Sequence, residues 1–186
     1  MRIFISGGCK NGKSYYAQRL ARAQQAAPLY YIATMKPVDA EDEKRIGRHR
    51  KEREGWGFTT VEQHTRIETI MDKCVPCGSF LLDSLTALLA CEMFPAGGSV
   101  DESASGRIKC GLSRLLDEID DIVIVSDYIY SDAIVYDRLT DIFRKSLAEI
   151  DRATAGRCDV IIEVVYAGLI VHKGKEVFKE LYEKCV

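Results

Sequence analysis

Short, almost wholly apolar runs recur along this chain, and most lead into a longer stretch with apolar residues at helical spacing. Ile3-Phe4-Ile5 opens the series, and the segment from Tyr15 to Gln25 behind it is helical in character. Leu29-Tyr30-Tyr31-Ile32-Ala33 reads as a second buried strand, followed by a charged, helix-prone segment from Ala40 to Glu54. Phe58-Thr59-Thr60-Val61 is a short strand, Ile67 to Cys74 a helix, Phe80-Leu81-Leu82 a strand and Leu85 to Phe94 an apolar helix. Pro95-Ala96-Gly97-Gly98-Ser99 is the clearest loop. Beyond it come a helix from Ser103 to Ile119 and the β-branched strand Ile122-Val123-Ile124-Val125. A helix from Leu139 to Ala153, a strand from Val160 to Val165 and a short amphipathic helix from Gly174 to Val186 complete the pattern. Strands that are apolar throughout, alternating with helices, predict a mostly parallel sheet covered on both faces. No repeat, low-complexity tract or linker interrupts it, so residues 1–186 are expected to form one α/β domain.

The turn between the first strand and the first helix carries the strongest chemical signal. Gly7, Gly8, Cys9, Lys10, Asn11, Gly12, Lys13 and Ser14 fit G-x-x-x-x-G-K-[ST], with the strand–loop–helix context the motif needs. Glycines let successive N–H groups curl around phosphate oxygens, and the helix N-terminus adds its positive dipole end. Lys13 is expected to reach the β- and γ-phosphates, and the Ser14 hydroxyl to join the shell of a Mg²⁺ ion. The motif predicts a P-loop nucleoside triphosphatase fold of the RecA-like kind.

Composition narrows the class. The chain has 186 residues, 47% of them hydrophobic and 29% charged, with a net charge of −2 that gives no bulk attraction for nucleic acid. No apolar run reaches membrane-spanning length and the first strand begins at once, which points to a cytoplasmic protein. Seven cysteines, an odd number, are scattered along the chain and read as free thiols. Cys74-Val75-Pro76-Cys77, with His64 upstream, is one pair without a second and reads as a loop with two incidental thiols.

Phosphate-transfer proteins of this class place a carboxylate at the end of a buried strand to position Mg²⁺. Asp83 and Asp127 both stand there, and Asp83 is the favoured metal ligand beside Ser14. The segment Arg45-Ile46-Gly47-Arg48-His49-Arg50-Lys51-Glu52-Arg53-Glu54 has an ordinary reading as a solvated charged face. Its cations also favour a neutral, nucleophilic His49 and could collect a polyphosphate.

At these residues the chain resembles the bifunctional adenosylcobinamide kinase/adenosylcobinamide-phosphate guanylyltransferases of cobalamin biosynthesis, nearly end to end. The resemblance rests on Ile5 through Ser14, on Tyr31-Ile32-Ala33-Thr34 and on an R-I-x-x-H-R-x-x-R pattern from Arg45 to Arg53 with Thr59 and Glu62 beyond. Leu81-Leu82-Asp83-Ser84-Leu85-Thr86, Arg138-Leu139, Phe143-Arg144 and Val164-Val165 to Gly168-Leu169 extend it. It implies that ATP or GTP phosphorylates a corrinoid hydroxyl, and that GMP passes from GTP through His49 to the corrinoid phosphate. Lys13 and His49 are then catalytic. Nucleotide contacts are implied for Gly7 to Ser14, for Ala33, Thr34 and Met35, for Arg50, Lys51, Glu52 and Arg53, and for Glu62 and Asp83. A homotrimer is implied by the same resemblance.

One segment departs from the family. After Val125-Ser126 the family carries Asn-Glu-Val-Gly, then glycine, a hydrophobic pair and proline; here stands Asp127-Tyr128-Ile129-Tyr130-Ser131-Asp132-Ala133-Ile134-Val135. Further on, a family Asn-Gln pair is Asp151-Arg152, and a proline is Glu54. Replacing glycine by tyrosine changes what the backbone can do, on the side where the acceptor binds. Two other readings stay open: a GTP-binding paralogue without turnover, and a kinase or nucleotidyltransferase acting on a different small acceptor.

Overall fold

The computed structural model describes residues 1–185; Val186 lies outside the described residues, as do the side chains of Arg45 and Glu52. The apolar runs become β1 (Arg2–Gly7), β2 (Leu29–Ala33), β3 (Phe58–Glu62), β4 (Ser79–Asp83), β5 (Ile122–Val125), β6 (Val160–Val165) and β7 (Gly168–Lys173). They form one sheet in the order β3-β2-β4-β5-β1-β6-β7, parallel throughout except for the antiparallel β6–β7 pair. Among the helices are α1 (Lys13–Ala23), α2 (Ala40–Glu52), α3 (Leu85–Met93), α4 (Ala104–Glu118), α5 (Arg138–Arg157) and α6 (Lys175–Glu183).

Because successive strand residues point to opposite faces, each strand feeds two cores. Phe4, Ile32, Phe80, Leu82, Ile122 and Ile124 face α3, α4 and α5 through Leu88, Leu112, Leu147 and Ile150. Ile3, Ile5, Leu81, Val123, Val125 and Ile162 face the other way, onto Ala17, Leu20 and Ala21 of α1 and Phe178 and Leu181 of α6. The expected two-sided cover is therefore present. No described helix is long and apolar enough to cross a membrane.

Three elements differ from expectation. The segment expected as a helix from Ile67 to Cys74 is a tight 3-10 helix over Ile67–Asp72, pinned by Ile67 and Ile70, both fully buried. The last helix ends at Glu183. The pattern after Val165 gives no sign of β7, yet it pairs with β6 at the edge of the sheet. The two-residue turn before it, Tyr166-Ala167, has φ of 48° and 59° without a glycine or asparagine to announce a hairpin, and Ile170 is exposed.

Candidate active site

The phosphate loop begins where β1 ends. Gly7 has φ 151°, and a side-chain carbon there would meet the Val164 carbonyl oxygen at 2.5 Å and Asn11 Nδ2 at 2.4 Å. Only glycine fits. Asn11 then fastens the loop: its Nδ2 donates to the Val164 carbonyl at 2.5 Å, and its Oδ1 accepts the Lys13 N–H at 3.2 Å. Gly12 turns left-handed, φ 94°, and starts α1 without a side-chain cap or an acidic residue in the first turn. The helix therefore presents its N-terminal N–H groups and positive dipole end to the loop.

Lys13 is buried, 6% exposed, with its ammonium turned back into the loop. Nζ donates to the Gly8 carbonyl at 2.6 Å and stands 2.9 Å from Asp127 Oδ1. Ser14 is half-buried on the same first turn. Asp83 ends β4, and its Oδ2 accepts a hydrogen bond from the Tyr31 hydroxyl at 2.9 Å. The two acids thus divide the corner: Asp127 meets the loop lysine, and Asp83 lies one strand further out. A hydroxyl at Ser14 and a carboxylate at Asp83 are the hard oxygen donors that suit Mg²⁺.

Thr34, fully buried just past β2, ties the ends of β2 and β4 together. Its hydroxyl donates to the Ser84 carbonyl and accepts the Ser84 N–H, both at 2.7 Å. Ala33 pairs in register with Glu62 on one side and Asp83 on the other, and Met35 is half-buried beyond them. His64 places Nδ1 3.1 Å from the Thr34 carbonyl; Cys74 is buried and Cys77 exposed, both as free thiols.

The basic run forms the far end of α2, which Asp39 caps by accepting the Glu41 and Asp42 N–H groups. His49 is half-buried in the last turn. Arg50 pairs with Glu62 at 2.8 Å. Arg53, 7% exposed, lays its guanidinium carbon 3.5 Å from the centre of the Tyr31 ring. Its Nη1 is buried without a hydrogen-bond partner among the described residues. A cavity of about 710 Å³ opens here, lined by Arg50, Lys51, Arg53, Glu54, Gly55, Gly57, Phe58 and Thr60. A buried cationic donor beside an open cavity is an anion or carbonyl site by its chemistry. Tyr31 joins the two halves, with its ring under Arg53 and its hydroxyl on Asp83. Inside an apolar strand run its double role carries no pattern signal.

The departing segment, between β5 and α5, is anchored by two residues of α5. Arg144 donates to the Ile129 carbonyl at 2.9 Å, pairs with Asp132 at 2.9 Å and stacks on Tyr136. Asp151, 2% exposed, accepts on Oδ2 from the Ser126 hydroxyl at 2.9 Å and the Tyr130 hydroxyl at 3.1 Å. Its Oδ1 has no hydrogen-bond partner among the described residues. Burial pushes the Asp151 carboxyl up to about 7; the two hydroxyls pull it down and the charge on Asp127 raises it further. Burial, followed by the nearby Asp151 charge, also raises the Tyr130 phenol.

Comparison with known proteins adds the family. The family described as Cobinamide kinase / cobinamide phosphate guanyltransferase matches residues 3–172. The chain is 36% identical over 89 residues to the bifunctional adenosylcobalamin biosynthesis protein CobP of Pseudomonas aeruginosa, covering 48% of this chain and 51% of that protein. It is 32% identical over 103 residues to the bifunctional adenosylcobalamin biosynthesis protein CobU of Escherichia coli K12, covering 54% and 55%. These matches thus span about half the length of each relative. A KaiC-like protein, PH0186 of Pyrococcus horikoshii OT3, shares the fold at a TM-score of 0.51 and 10% identity, over 92% of this chain and 77% of its own.

Proposed function

The chain belongs to the cobinamide kinase/cobinamide phosphate guanyltransferase family, and from that premise we propose that it carries out both reactions of the name. A nucleoside triphosphate, ATP or GTP, phosphorylates the hydroxyl of adenosylcobinamide. GMP then passes from GTP through His49 to adenosylcobinamide phosphate, giving adenosylcobinamide-GDP. A homotrimer and a cytoplasmic setting belong to the same reading.

The observation that carries it is the cavity at the end of α2, where Nη1 of buried Arg53, without a hydrogen-bond partner among the described residues, stands just past the last residue of the helix that bears His49. An oxygen of the nucleotide would satisfy that donor, while Arg50 and Lys51 add positive charge around it. An imidazole nitrogen of His49 attacks the α-phosphorus and pyrophosphate leaves with the bonding electron pair. GMP rests on the ring until the acceptor phosphate displaces it. One hard transfer becomes two easier ones. In the phosphate loop, the N–H groups from Gly8 to Lys13 hold the β- and γ-phosphates and Lys13 answers their charge. Ser14 and Asp83 would hold Mg²⁺, which supplies charge neutralisation on the phosphate oxygens when bound.

Incubation with α-labelled GTP, followed by denaturation, tests the reading. The wild-type chain should retain acid-labile, alkali-stable label, as a phosphoramidate does, and His49→Asn should abolish it while GTP still binds and the melting transition is kept. Adduct on His64, His172 or a lysine would move the nucleophile. No adduct with GTP bound would favour a binding-only paralogue, the reading to which the altered Asp127–Val135 segment lends weight.

A further inference from the structure

We propose that Asp127 is the carboxylate that takes the proton of the acceptor hydroxyl during phosphoryl transfer. The inference rests on the kinase half of the reading above. In a loop of this kind the lysine serves the β- and γ-phosphates, so a group held on its ammonium stands at the γ-phosphate end of the nucleotide. Asp127 Oδ1 is held there, 2.9 Å from Lys13 Nζ.

Its backbone is fixed from two sides. The Asp127 N–H donates to Thr86 Oγ1 on α3 at 3.0 Å, and the next N–H, of Tyr128, donates to the carbonyl of Gly7 at 3.0 Å. A peptide tied to both α3 and the start of the phosphate loop cannot drift from the transferring group. The side chain is nevertheless 26% exposed, so an incoming hydroxyl can reach it. The other acids of this corner are not so placed: Asp83 lies one strand away under the Tyr31 hydroxyl, and Asp151 is buried under Ser126 and Tyr130.

Nucleotide entry draws Lys13 Nζ onto phosphate oxygens and leaves the carboxylate facing the γ-phosphate. As the acceptor oxygen bonds to the γ-phosphorus, its O–H bond breaks and the proton passes to Asp127. The bond from the γ-phosphorus to the β,γ-bridging oxygen breaks, and its electron pair leaves on the nucleoside diphosphate beside Lys13. Asp127 then returns the proton to water.

Steady-state phosphorylation of cobinamide by GTP, run beside GMP-adduct formation without cobinamide, tests this. Asp127→Asn should lower kcat for phosphorylation about 100-fold or more, the scale of a lost general base. Its KM for GTP should stay within about threefold, a loss of the transfer step rather than of binding, and the adduct should still form. Asp127→Glu should recover part of the rate, and Asp127→Ser should show the same loss if the Asn variant does not fold. An Asn variant above roughly one-tenth of wild-type kcat overturns the assignment. Loss of GTP affinity and adduct in step with phosphorylation also overturns it, making Asp127 a brace for Lys13. A wild-type chain that makes adduct but no cobinamide phosphate overturns the kinase reading, and the assignment falls with it.

Discussion

The phosphate loop and the β5–α5 segment leave adjacent strands and touch each other twice, at Tyr128 with Gly7 and at Asp127 with Lys13. They are held in opposite ways. The first is braced within itself, Lys13 to Gly8, five positions back, and Asn11 to Lys13, two on, and is moored to β6 by Asn11 on the Val164 carbonyl. The second depends on α5: Arg144 reaches Ile129 across 15 positions, and Asp151 reaches Tyr130 across 21 and Ser126 across 25. A self-bracing loop tolerates little change in its own sequence. A segment hung on α5 needs only the few side chains that meet it, Ser126, Tyr130, Asp132 and Tyr136, and is freer to change at the positions between.

The largest expected effect probes the anchor of the second region. Asp151 has a folded-state pKa of about 7, far above the ordinary carboxylate value near 4, so the folded state binds this proton more tightly than the unfolded state. Its contribution to stability is full below about pH 4 and falls as pH rises to about 7, by on the order of 4 kcal/mol in all. Asp151→Asn should remove that decline, so that melting temperatures of the variant hold level from about pH 5 to about pH 8 while the wild type falls. A wild type that is flat over this range would show that the carboxyl is not held as described.

Lys13→Ala tests the first region. It removes the charge-assisted contacts of the loop and should weaken GTP binding tenfold or more, about 1.4 kcal/mol. Unchanged affinity in calorimetry would end the phosphate-cradle reading of Gly7 to Ser14. The smallest effect sharpens the contrast. Arg144→Met keeps the bulk but releases Ile129 and Asp132, and should cost about 1 kcal/mol of stability. It should lower transfer to cobinamide without altering GTP affinity. Equal losses in both would mean that the two regions act as one.

The same contrast explains how far the sequence alone leads. The strand–loop–helix around Gly7 to Ser14 was legible because its motif is written in eight consecutive residues, and the buried strands because full apolarity survives without any partner in view. Asp83 and Asp127 could be placed at strand ends, but which of them meets Lys13 depends on strand order, which no local pattern records. Asp151 looks like an ordinary helix residue until the fold puts Ser126 and Tyr130 over it. Tyr31 hides inside an apolar run. Strand β7 was missed because its two-residue turn, Tyr166-Ala167, takes positive φ without the glycine or asparagine that marks such a hairpin.

The central place of β1 has a consequence for how the chain is made. The Met1 amine meets Asp121, 120 positions on, and the Arg2 N–H meets Asp159, 157 positions on. On a ribosome working from the first residue onward, β1 emerges early and waits for both neighbours until β6 has left the exit tunnel. β1 is therefore made well before the second of its two neighbours. Until β5 emerges, Ile3, Phe4 and Ile5 have no strand to pair with, and non-local pairing of this kind is slow and exposes apolar backbone to unwanted partners. The loop from Gly7 to Ser14 leans on the Val164 carbonyl of β6 and on the Tyr128 N–H beyond β5, so its final form waits for both strands.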